Sequence, residues 1–326
     1  MNTFSFAGPK SVEDAAVLLS ENPDAMVMAG GVDLIHEMKQ GIRTPSLVIS
    51  LAGVDGLAGI RMNGDHLEIG ALTKVRDLES NSLVAEHAPI LAMAAAEVAT
   101  PQLRTMGTVA GNILQRPQCW YYRDPDSFCL RKGGQHCHAV SGDNRYHAVL
   151  GGGPCHIVCP SDLAPALLAL DASVTVYGSR SGERVMPLGE LFVGPATDPH
   201  NEHVLAHDEL IVNVTIPSSA GIACAFMKAR ERTVWDFALS SVSALVARDA
   251  NGLVHRAAIV LGGVAPNPWN AHEAAESLIG KTLDDDAIDA AAALSVRGAR
   301  ALRDNAYKIE LTRSYVARAL HSLASA

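Results

Sequence analysis

The chain has 326 residues and 48% hydrophobic content, enough for about two domains with cores of their own. Its net charge of −9 argues against nucleic acid or an anionic membrane surface as the main partner, because both require a cationic face. No uncharged apolar run reaches the roughly 18 residues of a membrane span, and Met1 to Gly8 lack the basic-then-apolar order of an export signal, so the cytoplasm is the expected location.

Residues 11–21 open with Ser11 as N-cap and Asp14 three places on, then run with helical apolar spacing to the break at Asn22-Pro23, which predicts a first helix. Residues 25–29 form a short apolar strand ending in Gly30-Gly31; 32–40 have helical character and Gly41 is the natural stop. Residues 47–50 read as a second strand, 52–64 as a Gly-rich connection and 67–70 as the next strand. Thr73 is placed as the cap of a helix through 78, and 90–98 is an Ala-rich helix leading into a turn at 100–112. Residues 115–160 show no period. Beyond them Ser161-Asp162 precedes an Ala/Leu helix to 170, followed by strands at 173–177, 184–186 and 210–216. Pro217 to Gly221 marks a boundary, after which 223–229, 238–247 and 257–264 read as strands of one sheet and 271–279, 284–299 and 309–325 as helices. Three units are expected: 1–57, 58–220 with an irregular insert at about 115–160, and 221–326.

Two small-residue turns carry chemistry. Gly30-Gly31 sits where a strand hands over to a helix, so unhindered N–H groups there can receive a phosphate; the same pair also fits a plain tight turn. The second turn, Gly107-Thr-Val-Ala-Gly-Asn112, adds a hydroxyl and an amide, and two such turns fit a pyrophosphate. Neither is a Gly-x-Gly-x-x-Gly fingerprint or a Walker loop, so no dinucleotide-binding Rossmann unit is indicated.

Five of the six cysteines lie between 119 and 159. In a chain this long that is too few for a disulfide scaffold, and metal binding is the better reading. The spacing of Cys119, Cys129, Cys137 and Cys155 lacks the paired C-x2-C knuckles of a zinc ribbon and the plant-type [2Fe–2S] pattern. Four thiolates are what a [4Fe–4S] cluster needs, and Arg116, Arg123, Arg131 and Lys132 would offset its negative charge. A structural zinc site and unligated buried thiols stay open at this point. Cys159, four places beyond Cys155, can substitute for it; Cys155 is preferred by position. His136, His138, His147 and His156 flank the group and are read as solvated or as hydrogen-bonding around it, and Cys224 as a core residue on a strand. No Ser-His-Asp, HExxH or paired-carboxylate pattern supports hydrolysis.

Ala29-Gly-Gly-Val-Asp-Leu34, Thr108-Val-Ala-Gly-Asn-Ile113, Pro160-Ser-Asp-Leu163 and Leu261-Gly-Gly-Val264 resemble, in order and over nearly the whole chain, the FAD-binding subunit of the molybdenum hydroxylases, the xanthine dehydrogenase and aldehyde oxidoreductase family. Val32 stands where that family usually has Thr, and Ala110 where it usually has Gly. The resemblance implies an α+β fold: a vanillyl-alcohol-oxidase type FAD-binding domain in two α/β subdomains, then a C-terminal domain with a small antiparallel sheet and helices. It implies that Met28, Ala29, Gly30, Gly31, Val32, Asp33 and Leu34, with Thr108, Val109, Ala110, Gly111 and Asn112, wrap the FAD pyrophosphate. Asp162 would bind the ribityl or ribose side, Val98 and Ile211 would line the cofactor, Lys228 would lie near the flavin, and Asp236-Phe237 would meet the isoalloxazine face. Lys228 as a solvated charge and Phe237 as core packing fit those residues equally well.

Arg116-Pro-Gln-Cys-Trp-Tyr-Tyr122 and Cys129-Leu-Arg-Lys-Gly-Gly-Gln-His-Cys137 are similar to an insert carrying a [4Fe–4S] cluster in one branch of the family, which includes periplasmic aldehyde oxidoreductases and 4-hydroxybenzoyl-CoA reductases. Asp124-Pro125 and the 144–150 run are closer to the aldehyde enzymes. The implied protein is the FAD- and [4Fe–4S]-carrying electron-transfer subunit of a heterotrimeric aldehyde oxidoreductase. A molybdenum-cofactor large subunit and a [2Fe–2S] small subunit would be its partners, and an external acceptor such as ferredoxin or oxygen would take the electrons. The equivalent subunit of a 4-hydroxybenzoyl-CoA reductase or xanthine-type dehydrogenase, and a zinc-stabilised binding module, are the alternatives. Co-export on a partner's signal would place it in the periplasm instead.

Overall fold

The computed structural model describes residues 1–325 and is built on three sheets. The first is parallel, with strands β1 (Ser5–Ala7), β2 (Met26–Met28) and β3 (Leu47–Ser50) in the order β1-β3-β2. Successive side chains of a strand point to opposite faces, and the central strand uses this: Ile49 packs with Ala15 and Leu19 of the helix Val12–Glu21, while Val48 packs with Leu34 and Met38 of the helix Leu34–Gln40. Each such buried aliphatic side chain contributes about 1.5–3 kcal/mol. Ser11 caps the first helix by accepting from the Asp14 N–H, and Gly41 ends the second at φ +74°, as their positions in the sequence predict.

The second sheet is antiparallel, with β4 (Ile60–Asn63), β5 (His66–Gly70), β6 (Ser173–Gly178), β7 (Gly182–Pro187) and β8 (Glu209–Pro217) in the order β4-β5-β8-β6-β7. Its inner face and the helices Val75–Ser80, Pro89–Ala96 and Leu163–Ala169 enclose the largest core, which includes Leu67, Ile69, Leu91, Leu163, Leu167, Val174, Val214 and Ile216. The third sheet is antiparallel, with β9 (Ala223–Ala229), β10 (Ser240–Arg248), β11 (Val254–Gly262) and β12 (Trp269–Asn270) in the order β12-β11-β10-β9. The helices Asp285–Ser295 and Tyr307–Ala324 cover it.

The molecule is thus α+β, as the resemblance implies. Several local expectations are corrected. Strand β4 lies inside the stretch read as a plain connection, because Ile60 and Met62 alternate with polar residues across an edge strand. Thr73 is not a helix cap: its hydroxyl is held by Gly59, and the helix starts after Lys74. The 100–112 turn contains two short helices, Pro101–Arg104 and Val109–Ile113, capped by the Thr100 and Thr108 hydroxyls. The insert carries single turns at Trp120–Arg123, Leu130–Lys132 and His138–Val140, too short to leave a period. Among the described residues no helix is long and apolar enough to cross a membrane.

Candidate functional site

The two small-residue turns meet backbone to backbone. A Cβ on Gly30 would collide with the Met106 carbonyl oxygen, so only glycine at 30 lets that turn lie against 106–107, while one on Gly111 would crowd the Thr108 hydroxyl of its own turn. Among the described residues, the N–H groups of Gly30, Gly31 and Val32 donate to no protein acceptor. Free N–H groups on a glycine turn backed by a second turn are a cradle suited to phosphate oxygens. The Thr108 hydroxyl accepts from the Gly111 N–H at 3.2 Å, so it shapes the second turn from within. The Asn112 side-chain oxygen Oδ1 accepts from the Ser161 hydroxyl at 2.7 Å, tying that turn to the helix that follows Asp162.

Asp33 faces the other way. One of its oxygens accepts from the Arg123 guanidinium and the other from the Arg116 N–H, both at 2.8 Å, so it latches the first turn to the insert. Val98 is half-buried against the main core, and Ile211 is buried within that core on β8.

Asp162 and Lys228 are both buried and 2.7 Å apart, and the Lys228 ammonium also donates to the Glu97 carbonyl. Burial pushes the Asp162 carboxyl above its ordinary value, and Lys228 opposes that shift. Lys228 is therefore no solvated strand charge. Glu97 pairs with Arg230 at 2.6 Å, and the Trp235 N–H donates to the Ala99 carbonyl, so the 97–99 corner and the 230–237 loop form one rim. Ala99 and Trp235 both hold positive φ, 45° and 56°, a conformation that costs non-glycine residues energy and concentrates where function demands it. The Asp236 carboxylate accepts from the N–H groups of Glu231 and Arg232 and shapes that loop. Phe237, Trp235 and Val234 stand exposed at 46%, 63% and 54%, so Phe237 is not core packing.

In the insert, Cys119, Cys129, Cys137 and Cys155 line one small cavity with Tyr121 and Arg131. Cys159 is buried outside that lining, where burial pushes its thiol up to about 12. The neighbouring Cys155 thiol brings Cys137 down to about 6, while Cys155 itself is held well above the usual thiol range. Cys119, raised to about 11 by burial, lies 3.2 Å from His147 Nε2. Arg131 is buried, gives one amino group to Glu202 at 2.5 Å, and leaves its Nε and second amino group without a partner among the described residues. Unpaired buried guanidinium donors beside a ring of thiols fit a bound anionic group, since leaving them unmet costs about 1–3 kcal/mol. Among the described residues no three or more His, Cys, Asp or Glu side chains converge on a single ion. A cube differs in this respect, because each thiolate holds its own iron.

A buried polar chain runs behind the cavity: Glu37 accepts from the Tyr122 hydroxyl, Arg116 Nε donates to that hydroxyl, and Arg116 and Arg131 share Glu202. Burial raises the Glu202 carboxyl, and the two arginines oppose the shift. Glu37 and Glu202 were not singled out in the sequence; the only signal is that Glu37 falls on the buried stripe Leu34, Glu37, Met38.

Residues 2–219 match the family described as the FAD binding domain in molybdopterin dehydrogenase, and residues 225–323 match the CO dehydrogenase flavoprotein C-terminal domain. The chain belongs to the FAD-binding medium subunits of the molybdenum hydroxylase family. It is 36% identical to the aldehyde oxidoreductase FAD-binding subunit PaoB of Escherichia coli (strain K12) over 84% of this chain and 85% of that one. It is 28% identical to the carbon monoxide dehydrogenase medium chain of Hydrogenophaga pseudoflava over 98% and 96% of the two chains. The solved structure of carbon monoxide dehydrogenase from that organism superposes with a TM-score of 0.79 at 28% identity, covering 99% of this chain and 98% of that one.

Proposed function

We propose that this FAD-binding subunit also carries a [4Fe–4S] cluster and serves as the electron-transfer subunit of a heterotrimeric, molybdenum-dependent aldehyde oxidoreductase. The observation that carries the cluster is the single cavity ringed by Cys119, Cys129, Cys137 and Cys155, with the buried Arg131 donors unmet at its wall. The aldehyde reading is supported by the likeness to the E. coli aldehyde oxidoreductase subunit over most of both chains.

In this reading the four cysteines are the cluster ligands, and residues 28–34 and 108–112 hold the FAD pyrophosphate. Asp162, paired with Lys228, borders the ribityl side; Val98 and Ile211 flank the cofactor, and Asp236 sets the loop that presents Phe237 to the ring. When bound, FAD and the cluster supply two-electron and one-electron redox chemistry respectively. The chain's own residues position and shield them: Asp33 fixes the distance between glycine turn and insert, and Arg131 and Arg116 offset negative charge at the thiolates. The partners would be a molybdenum-cofactor large subunit and a [2Fe–2S] small subunit, with ferredoxin or oxygen as acceptor, and the complex would stay in the cytoplasm or leave it on a partner's signal.

The test is anaerobic purification of the complex, followed by iron, zinc and flavin analysis and visible spectra of this subunit. About one FAD and four irons per chain, with aldehyde-dependent bleaching, is the expected result. Flavin without iron overturns the cluster, zinc in its place supports a structural metal, and absence of aldehyde-dependent bleaching overturns the substrate class.

A further inference from the structure

Lys308 is fully buried in the C-terminal helix Tyr307–Ala324 and, among the described residues, pairs with no carboxylate. Its ammonium instead donates to three carbonyls: Tyr146 at 3.0 Å, His147 at 3.1 Å and Gly263 at 2.6 Å. Burial brings that ammonium down to about 7. An arrangement this unfavourable persists only where the surroundings enforce it. Asn305 adds two more contacts, donating to the carbonyls of His147 and Ala148, and Asp304 N–H reaches Asn144 Oδ1 at 2.8 Å. Five donations from two C-terminal side chains therefore converge on the backbone at 146–148 and 263, with His147 taking one from each.

The side chain of His147 is what this clamp aims. Its Nε2 lies 3.2 Å from the Cys119 sulfur, and its Nδ1 is buried without a partner among the described residues. If Nε2 accepted a proton from sulfur, Nδ1 would be a buried N–H with no acceptor, which proteins rarely tolerate; with the proton on Nε2, Nδ1 is merely an unused lone pair. The tautomer that fits is the one donating to sulfur. Trp120 and Tyr121 pack on the ring and hold its plane.

We propose that Lys308 and Asn305 are positioning residues that hold His147 so that its Nε2–H donates to the Cys119 sulfur and raises the reduction potential of the cluster bound there. The inference rests on the [4Fe–4S] reading above. A hydrogen bond to a ligand sulfur favours the more negative, reduced form, so its removal lowers the potential.

The experiment is a potentiometric titration of the cluster in the intact complex, followed by its electron paramagnetic resonance signal. His147→Phe should shift the midpoint to lower potential by a tenfold change in the reduction equilibrium, about 59 mV for a one-electron couple. His147→Gln, which keeps an N–H donor, should recover most of that, and Lys308→Met and Asn305→Ser should move the midpoint in the same direction as His147→Phe, at unchanged iron content. If Lys308→Met does not fold, Asn305→Ser decides the clamp. Four irons per chain with a midpoint unmoved in the His147 variants, or moved there but unmoved by Asn305→Ser, overturns this proposal and leaves the cluster reading intact. A wild-type complex without iron overturns both.

Discussion

Asp33 Oδ1 and the Arg123 guanidinium lie 2.8 Å apart, joining the glycine turn to the cysteine insert across 90 residues of sequence. The second Asp33 oxygen takes the Arg116 N–H, so one carboxylate spans both ends of the segment that bears Cys119. Asp33→Asn keeps one acceptor and turns an amide toward Arg123. A loss of about 2 kcal/mol is expected, within the range for hydrogen bonds to charged groups. Urea denaturation would show it, together with weaker retention of both flavin and iron; loss of only one cofactor would refute the latch.

Gly30→Ala places a methyl group against the Met106 carbonyl, and backbone on both sides leaves nothing soft to yield. Overpacking of this kind typically costs about 1–3 kcal/mol. The expected outcome is at least tenfold weaker FAD binding by fluorescence titration. Gly8→Ala, where an added Cβ meets nothing within 4 Å, should bind as the parent does.

Cys155 and Cys159 separate cleanly by place: the first lines the four-thiol cavity, the second lies outside it. Cys155→Ser should lose most of its iron on anaerobic purification, and Cys159→Ser should keep it. The reverse pattern would assign the fourth ligand to Cys159.

Lys228→Met strands the Asp162 carboxylate in the interior, where breaking a buried pair costs about 3–5 kcal/mol. Burial already raises the folded-state value of Asp162 above its unfolded one, so its contribution is most favourable at acid pH and is lost as pH rises. The deficit of Lys228→Met should therefore be larger at pH 7 than at pH 5, and adding Asp162→Asn should remove most of it. Parallel stability curves for parent and variant over that range would contradict the buried-charge account.

Local features could be read directly from the sequence because their causes are local. Ser11 accepts from a residue three places on, Gly41 needs a left-handed φ, and the apolar runs of β5, β8 and β10 are long enough to name themselves. The two-residue strand β12 and the single turns of the insert carry too few residues for any period to show. The cysteines that line one cavity could be named from composition, but the groups around them could not. Lys308 reaches His147 across 161 positions, and nothing near either residue announces the other. The one trace is periodic: Lys308 falls on the stripe continued by Thr312, Val316 and Ala319, which all lie inside. A lysine on an apolar stripe is a mismatch that only a distant set of carbonyls resolves.

The dependence of residues 144–148 on Asp304, Asn305 and Lys308 bears on the order of assembly during synthesis. While the polypeptide is still being made, the first two sheets can collapse, but residues 144–148 lack their side-chain partners until the last long helix has left the ribosome. If the four thiols hold the proposed cluster, its iron would have to be delivered to a finished chain, and a truncated one would leave the thiols open to oxidants.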